Sequence, residues 1–177
     1  IPVIYACALS LDGKTTRHFE TNVHAWTSEE DQAYFKDLVH QHTAIIMGRR
    51  TYDVVRDRIR LDKRHERYIY THHPEQFRDH EVPGQLSFTQ ENPVLLLQRL
   101  ELHGHTKVLL AGGANLASHF FTSGCVSELW ITLEPKLFGT GDPLFSSQRI
   151  NASLKLLEQK PWNAQGTLFL RYQVLPS

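Results

Sequence analysis

Ile45-Ile46-Met47-Gly48-Arg49-Arg50-Thr51 joins an apolar run, typical of a buried strand, directly to a glycine and the start of a helix. A second junction of the same kind follows Val108-Leu109-Leu110-Ala111 at Gly112-Gly113. A helix N-terminus offers unpaired N–H groups, and glycine lets a phosphate approach the backbone closely. Either junction alone is more simply explained by a tight turn. As a pair, they predict two chain turns that each hold part of a dinucleotide.

Strands alternate with helices along most of the chain, which predicts βαβ units and a mainly parallel sheet. Two final strands without a helix between them predict an antiparallel edge. The expected fold class is therefore α/β, with three layers in which helices flank a central, mixed and mostly parallel β-sheet. The Arg- and Asp-rich stretch 56–67 is expected at the surface. The predicted strands are 2–9, 44–47, 68–70, 107–111, 128–133, 153–159 and 166–175, and the main predicted helices are 28–42, 93–102 and 114–122.

Composition excludes several classes of protein. Nineteen basic residues balance nineteen acidic ones, so no overall field favours nucleic acid or an anionic membrane as a partner. A chain of 177 residues is expected to form a single domain, residues 1–177, and no apolar run is long enough for a membrane helix. Cys7 and Cys125 form no disulfide framework, which favours a cytoplasmic location. The eleven histidines lack the company of cysteines or carboxylates, so no metal site is predicted.

Asp31 is the candidate catalytic acid. It falls in the first turn of a helix whose apolar stripe includes Tyr34, Phe35 and Leu38, so its side chain can point toward the interior of the protein. The simpler alternative is that Asp31 complements the helix dipole, as acidic residues in first turns commonly do. Trp26, similarly, has the simpler alternative of a core or loop-anchoring aromatic residue. Spacing alone favours the simpler alternative for both residues.

The sequence resembles the dihydrofolate reductase superfamily, which includes the reductase domain of riboflavin biosynthesis (the RibD C-terminal domain), over nearly its whole length. Several motifs carry this resemblance, and each falls on the element that the pattern of the chain assigns to it. Such a resemblance implies a dihydrofolate reductase-like fold with about eight strands. The matching motifs are Ala8-Leu9-Ser10-Leu11-Asp12-Gly13-Lys14, Trp26 followed by Asp31-Gln32-Ala33-Tyr34-Phe35-Lys36, Met47-Gly48-Arg49-Arg50-Thr51-Tyr52, Gly112-Gly113, and Thr132 in Trp130-Ile131-Thr132-Leu133.

The resemblance also implies roles for individual residues and NADPH as the cofactor. Asp31, Trp26 and Thr132 are the expected catalytic residues, with Asp31, Tyr34 and Phe35 against the substrate. A cis peptide bond is expected between Gly112 and Gly113. The expected cofactor-binding residues are Ala8, Gly48, Arg49, Arg50, Thr51, Thr71, His72, Gly112, Gly113, Ala114 and Asn115.

Two branches of the superfamily predict different substrates for this protein. The paired match of Trp26 and Asp31 favours hydride transfer to dihydrofolate, whereas the loop 134–145 resembles that of riboflavin-pathway reductases, which usually dimerise. The folate-tail clamp of dihydrofolate reductases is not matched, and Arg64 is its nearest substitute. We therefore expect dihydrofolate reductase-type activity on a small pterin-like or aminopyrimidine molecule. The alternatives are 5-amino-6-(5-phosphoribosylamino)uracil reduction and a non-catalytic NADP-binding module, and a homodimer is possible.

Overall fold

The structure is a computed structural model that describes residues 1–146 and 149–176. Short 3-10 turns at Val23–Ala25, Arg56–Arg58 and Pro74–His80 supplement its helices and strands. Its strands are β1 (Val3–Ser10), β2 (Ala44–Gly48), β3 (Glu66–Tyr70), β4 (Leu86–Thr89), β5 (Val108–Leu110), β6 (Glu128–Glu134), β7 (Leu154–Pro161) and β8 (Leu168–Val174). Its helices are α1 (Glu29–His40), α2 (Arg49–Val55), α3 (Pro93–Leu102) and α4 (Ala114–Thr122).

All eight strands belong to one sheet, in the order β4-β3-β2-β5-β1-β6-β8-β7. The pairs from β4 across to β6 are parallel, whereas β8 pairs antiparallel with both β6 and β7. The predicted mixed and mostly parallel sheet is therefore confirmed, together with its antiparallel end. A consequence for function is that β1, β2, β5 and β6 present their carboxyl ends at one edge.

Two apolar clusters cover the two faces of the sheet. Tyr5 of β1 belongs to the cluster that packs against α3 and α4, and Ala6, the next residue, belongs to the cluster that packs against α1 and α2. Because successive strand side chains point to opposite faces, a strand covered on both faces needs an unbroken apolar run. The central β1, β2 and β5 have such runs, and the three-layer prediction follows from them.

The four helices begin in two different ways. Ser28 caps α1 through a side chain that accepts the Asp31 N–H, and Asn92 caps α3 by accepting the Val94 N–H. Gly48 and Gly113 occupy the cap positions of α2 and α4, and within the described residues neither start has a side-chain cap. The first N–H groups of α2 and α4 therefore stay available to another acceptor.

Two local predictions differ from the structure. Strand β4 was not predicted, because its four residues supply only Leu86 and Phe88 as alternating inward apolar side chains. The stretch 56–67 is not all surface: His65 is 4% exposed and Arg67 is 6% exposed, so that prediction was wrong at its end. Strand β3 begins at Glu66, so the polar residues Glu66 and Arg67 lie within the sheet ahead of its apolar residues.

Candidate active site

The two glycine junctions meet at the carboxyl edge of the sheet. Strands β2 and β5 are paired neighbours, and the Gly48 N–H donates a hydrogen bond to the Gly112 carbonyl oxygen at 2.9 Å. The starts of α2 and α4 therefore lie side by side, each with uncapped N–H groups. Two neighbouring helix starts with free N–H groups can bind an anionic group between them.

Backbone conformation explains the glycines at the second junction. The peptide bond between Gly112 and Gly113 is cis, as expected from the resemblance, and Gly112 has a φ of 99°, which side-chain-bearing residues rarely adopt. A Cβ atom on Gly113 would lie 3.5 Å from the Thr51 hydroxyl of the first junction. Thr51 therefore lies across the gap between the two turns, where a hydroxyl can reach a ligand held between them.

Basic side chains surround the first junction without being buried. Arg49 pairs with Asp53 one turn along α2, at 2.5 Å, and its side chain is 45% exposed. Arg50 is 75% exposed and reaches Asp142 at 3.5 Å. Exposed pairs of this kind contribute little to stability, so both guanidinium groups can exchange their partners for a phosphate at small cost.

The remaining candidates for the cofactor lie at the same edge but differ in exposure. Ala8 is near the end of β1 and pairs in register with Thr132 of β6. Thr71 directly follows β3 and is half-buried, whereas His72 is exposed. In the first turn of α4, Ala114 is buried and Asn115 is exposed.

Asp31 is buried within the first turn of α1, with an exposed fraction of 7%. Burial raises the pKa of its carboxyl to about 6, a hydrogen bond with Thr132 lowers that pKa, and the negative charge of Glu134 raises it. The helix-dipole alternative with a solvated side chain is therefore excluded. An acid with this pKa can exchange a proton near neutral pH, which an ordinary surface aspartate does not do.

Trp26 and Tyr34, which lie before and after Asp31 in the sequence, both have polar atoms without a hydrogen-bond partner. Trp26 is 3% exposed and meets the Phe138 ring edge-on, with ring centroids 5.1 Å apart. Within the described residues, the Trp26 Nε1 and the Tyr34 hydroxyl are buried without a hydrogen-bond partner. Buried polar atoms normally have a partner, so these two donors are available to a ligand or water.

Tyr34 and Phe35 lie on different parts of the inner surface of α1. Tyr34 packs against Trp162 and Phe169, with ring centroids 4.9 and 5.2 Å away, and Phe35 is half-buried at the margin of the α1/α2 cluster. The Trp162 and Phe169 rings are stacked at 5.1 Å. The hairpin of β7 and β8 thus supplies aromatic side chains that pack against Tyr34 of α1, and the sequence did not predict this contact.

Two loops, residues 11–18 and 136–143, are bonded together over this end of the sheet, and we call them the loop pair. Asp12 accepts hydrogen bonds from the backbone N–H of Phe138 at 3.1 Å and of Gly139 at 2.6 Å. Hydrogen bonds from the Ser10 hydroxyl and from these two amides lower the pKa of Asp12 to about 2. Because Phe138 contacts Trp26, the loop pair packs against the segment that leads into α1.

Glu134 is a buried acid that the sequence analysis also missed. It ends β6 two residues after Thr132, on the same face of the sheet, and is 2% exposed. A cleft of about 370 Å³ opens beside it, lined by Trp26, Ser28 and residues of the loops around it. The alternation of side chains along β6 was the available signal, since it places position 134 beside position 132.

Neither a metal centre nor a membrane span is found in the described residues. Across residues 1–146 and 149–176, no group of three or more His, Cys, Asp or Glu side chains is arranged to hold a metal ion. No helix in the same residues has the length and apolar character needed to cross a membrane.

Comparison with known proteins places the chain in a family. The RibD C-terminal domain family matches residues 2–167, and the chain belongs to it. Its relative YwjB, an uncharacterised protein of Bacillus subtilis, is 27% identical over 154 residues, which cover 84% of this chain and 85% of YwjB.

Two solved structures define the fold more closely. The deaminase and 5-amino-6-(5-phosphoribosylamino)uracil reductase of Thermotoga maritima superposes with a TM-score of 0.76 at 16% identity, over 98% of this chain and 56% of that one. Dihydrofolate reductase from Enterococcus faecalis, complexed with NADP(H), superposes with a TM-score of 0.64 at 12% identity, over 98% and 96% of the two chains. The fold is therefore dihydrofolate reductase-like, and the protein is an oxidoreductase of the RibD C-terminal family.

Proposed function

We propose that this protein is an NADPH-dependent reductase of an aminopyrimidine of the riboflavin-pathway type, such as 5-amino-6-(5-phosphoribosylamino)uracil. The observation that carries the proposal is the hydrogen bond from the Gly48 N–H to the Gly112 carbonyl, which joins two uncapped helix starts. Asp31 is buried at the same edge of the sheet. Dihydrofolate reduction, favoured by the sequence motifs alone, becomes the alternative.

Two observations favour the aminopyrimidine over dihydrofolate. The family match is to the riboflavin-type reductase domain. In addition, Arg64, the nearest substitute for a folate-tail clamp, is exposed and holds Asp62 instead, with its Nη2 3.1 Å from the carboxylate and its backbone N–H 2.7 Å away. The Arg64 guanidinium is therefore already paired, but an exposed pair of this kind exchanges partners at small cost, so the family match is the stronger of the two observations.

The residues at the two junctions fit NADPH. Uncapped N–H groups at the starts of α2 and α4 would receive the diphosphate, with Arg49, Arg50 and Thr51 around it. Thr71 and His72, which follow the end of β3, would contact the adenosine 2′-phosphate. When bound, NADPH supplies the hydride.

Asp31 has the properties needed to prepare the substrate for hydride transfer. Its carboxylate would accept hydrogen bonds from the amino and ring N–H groups of the pyrimidine and favour the protonated imine, which is the better hydride acceptor. A pKa of about 6 keeps proton exchange with the substrate nearly balanced at neutral pH. Thr132 orients the carboxylate, and Trp26 covers it from water.

The test is an absorbance assay at 340 nm with NADPH and either the aminopyrimidine or dihydrofolate. We expect oxidation of NADPH with the aminopyrimidine and slower or no oxidation with dihydrofolate. The reverse result would establish the alternative. Tight NADPH binding by calorimetry without turnover on either compound would instead identify a non-catalytic NADP-binding module and overturn the proposal.

We further propose that two copies of the chain pair through β7. Every residue of this edge strand is exposed, including Leu154 at 42%, Leu156 at 47% and Leu157 at 41%. An exposed apolar edge strand is a ready partner for a second strand. We expect a dimer in light scattering and a monomer for Leu156→Lys, whereas Leu102→Lys, at an exposed leucine of α3, should remain dimeric. A monomeric wild type would overturn this proposal.

A reducing, cytoplasmic location is also part of the proposal. It rests on Cys7 and Cys125, both of which are free thiols. Cell fractionation that recovers the protein in an oxidising compartment would contradict it.

A further inference from the structure

Glu134 is a carboxylate buried without a cationic partner. Its Oε1 accepts hydrogen bonds from the Ser28 N–H at 2.8 Å and the Ser28 hydroxyl at 2.7 Å, and its Oε2 accepts one from the Thr167 hydroxyl at 2.8 Å. Among the described residues, no Lys, Arg or His nitrogen forms an ion pair with it. Burying a charge in this way is costly, so an acid at this position calls for a reason beyond packing.

The partners of Glu134 lead directly to Asp31. Ser28 is the cap residue of α1, and its hydroxyl, which donates to Glu134, also accepts the Asp31 N–H at 3.3 Å. On the other side, Thr167 accepts a hydrogen bond from the Asn163 side chain at 2.9 Å. Glu134 therefore joins the end of β6 to the first turn of α1 and to the β7–β8 hairpin.

We propose that Glu134 is a positioning residue of this active site, whose carboxylate clamps the cap of α1 and thereby holds Asp31 in place against Thr132. The inference rests on the proposed function, and it assigns to Glu134 a role in the reaction without contact with the reacting atoms. Thr132 and Glu134 lie on the same face of β6. One strand therefore holds both the carboxylate of Asp31, through Thr132, and the first turn of α1, through Glu134.

Charge gives Glu134 a second effect that an apolar or amide residue would not have. Its negative charge opposes ionisation of Asp31 and so raises the pKa of that carboxyl. Cys7 of β1 and Tyr34 of α1 itself also interact with Asp31, and both are neutral at pH 7 because burial raises the pKa of each. Glu134 is therefore the charged neighbour that tunes Asp31.

Two substitutions separate the effect of the charge of Glu134 from the effect of its side-chain length. Glu134→Gln keeps the length and removes the charge, whereas Glu134→Asp keeps the charge and shortens the clamp. Carbon-13 NMR titration of the Asp31 carboxyl, in the protein without ligands, should give a midpoint lower by about one half to one pH unit in Glu134→Gln. The midpoint should stay at the wild-type value in Glu134→Asp and in the control Asp37→Asn, which neutralises an exposed acid of the same helix. An unchanged midpoint in Glu134→Gln would show that Glu134 does not raise the pKa of Asp31 and would overturn this part of the proposal.

The clamp itself is tested by the rate of hydride transfer in a single turnover at 340 nm. Glu134→Asp and Ser28→Ala should both slow this step about tenfold, with NADPH affinity unchanged, because both release the cap of α1. Wild-type rates in either folded variant would overturn the positioning role. If Glu134→Gln fails to fold, the Glu134→Asp and Ser28→Ala rates still decide the matter.

The two proposals fail in different ways. If the wild-type protein reduces neither compound, the proposed function is wrong, and the NMR titration still reports whether Glu134 tunes Asp31. If the wild-type protein is active and the Glu134 and Ser28 variants behave like it, the function stands and the inference about Glu134 is wrong.

Discussion

The carboxyl edge of the sheet has two halves that differ in the chemical groups they offer. The half that we propose to bind NADPH, called the cofactor half, lies at the ends of β2, β3 and β5 and offers backbone N–H groups, glycines and exposed arginines such as Arg50, which is 75% exposed. The acid half, at the ends of β1 and β6, offers buried side chains such as Asp31, which is 7% exposed. The first half can bind a large anion with little rearrangement, and the second can shift proton affinities because water is excluded from it.

This difference determines how each half responds to mutation. Loss of one exposed arginine would leave several other proposed phosphate donors in the cofactor half. Loss of a buried group in the acid half removes an interaction that has no substitute nearby. We therefore expect large effects on chemistry from the acid half and graded effects on affinity from the cofactor half.

Asp31→Asn is the largest expected effect and tests the acid half directly. An amide cannot accept the substrate hydrogen bonds as a carboxylate does, so turnover should fall by about 10²- to 10⁴-fold. The dissociation constant for NADPH should change by less than about twofold, because the cofactor half is intact. Steady-state kinetics and calorimetry measure the two quantities, with Asp37→Asn as the control. Unchanged turnover would remove Asp31 from the mechanism.

Gly141→Ala tests whether the loop pair supports the acid half. Gly141 has a φ of 144°, and a Cβ atom there would lie 2.1 Å from the Thr16 carbonyl oxygen, so the two loops must separate. We expect the free energy of unfolding to fall by about 2 to 3 kcal/mol, with faster proteolysis in residues 11–18. Gly139→Ala is the matched control, since Gly139 also has a positive φ, 71°, but open space for a Cβ. Equal melting temperatures for the two variants would contradict the clash.

The pH dependence of stability should show the burial of Asp31. Its folded pKa of about 6 lies above the ordinary 3.8, so the folded protein binds this proton more tightly than the unfolded chain does. The stabilisation is complete below about pH 4 and is lost as the pH rises through 6. Relative to Asp31→Asn, the wild type should therefore lose about 2 kcal/mol between pH 4 and pH 7, measured by urea unfolding. A constant difference across that range would show that Asp31 is not desolvated.

Arg49→Ala gives the smallest expected effect and tests the cofactor half. Removal of one guanidinium from a site with several donors should weaken NADPH binding about tenfold and leave turnover at saturation nearly unchanged. Arg56→Ala, at an exposed arginine just past α2, is the control. An unaltered dissociation constant for Arg49→Ala would place the phosphates elsewhere.

The same contrast explains what the sequence could reveal. The cofactor half depends on local patterns: a buried strand, a glycine and a helix start follow one another along the chain at Gly48 and at Gly112-Gly113, so both junctions were predictable. The sheet order, in which β2 and β5 are neighbours, is not local, but parallel connections make the meeting of the two junctions a reasonable expectation.

The acid half was only partly predictable. Asp31 and Trp26 were identified by resemblance, whereas spacing alone favoured a solvated acid. Glu134 and Trp162 were missed, because their roles depend on contacts with Ser28 and Tyr34 that are remote in sequence. The burial of Arg67 was missed for a related reason, since its strand begins with polar residues and no local pattern marks them as internal.

The hydrogen bond between Gly48 and Gly112 uses main-chain atoms at both ends. No replacement of a side chain deletes its donor or its acceptor, apart from proline at position 48, which lacks the N–H. Side chains around the two turns can therefore be replaced without removing this bond. The spacing of the two turns therefore depends on the course of the backbone, and a chain only 16% identical reaches the same overall fold.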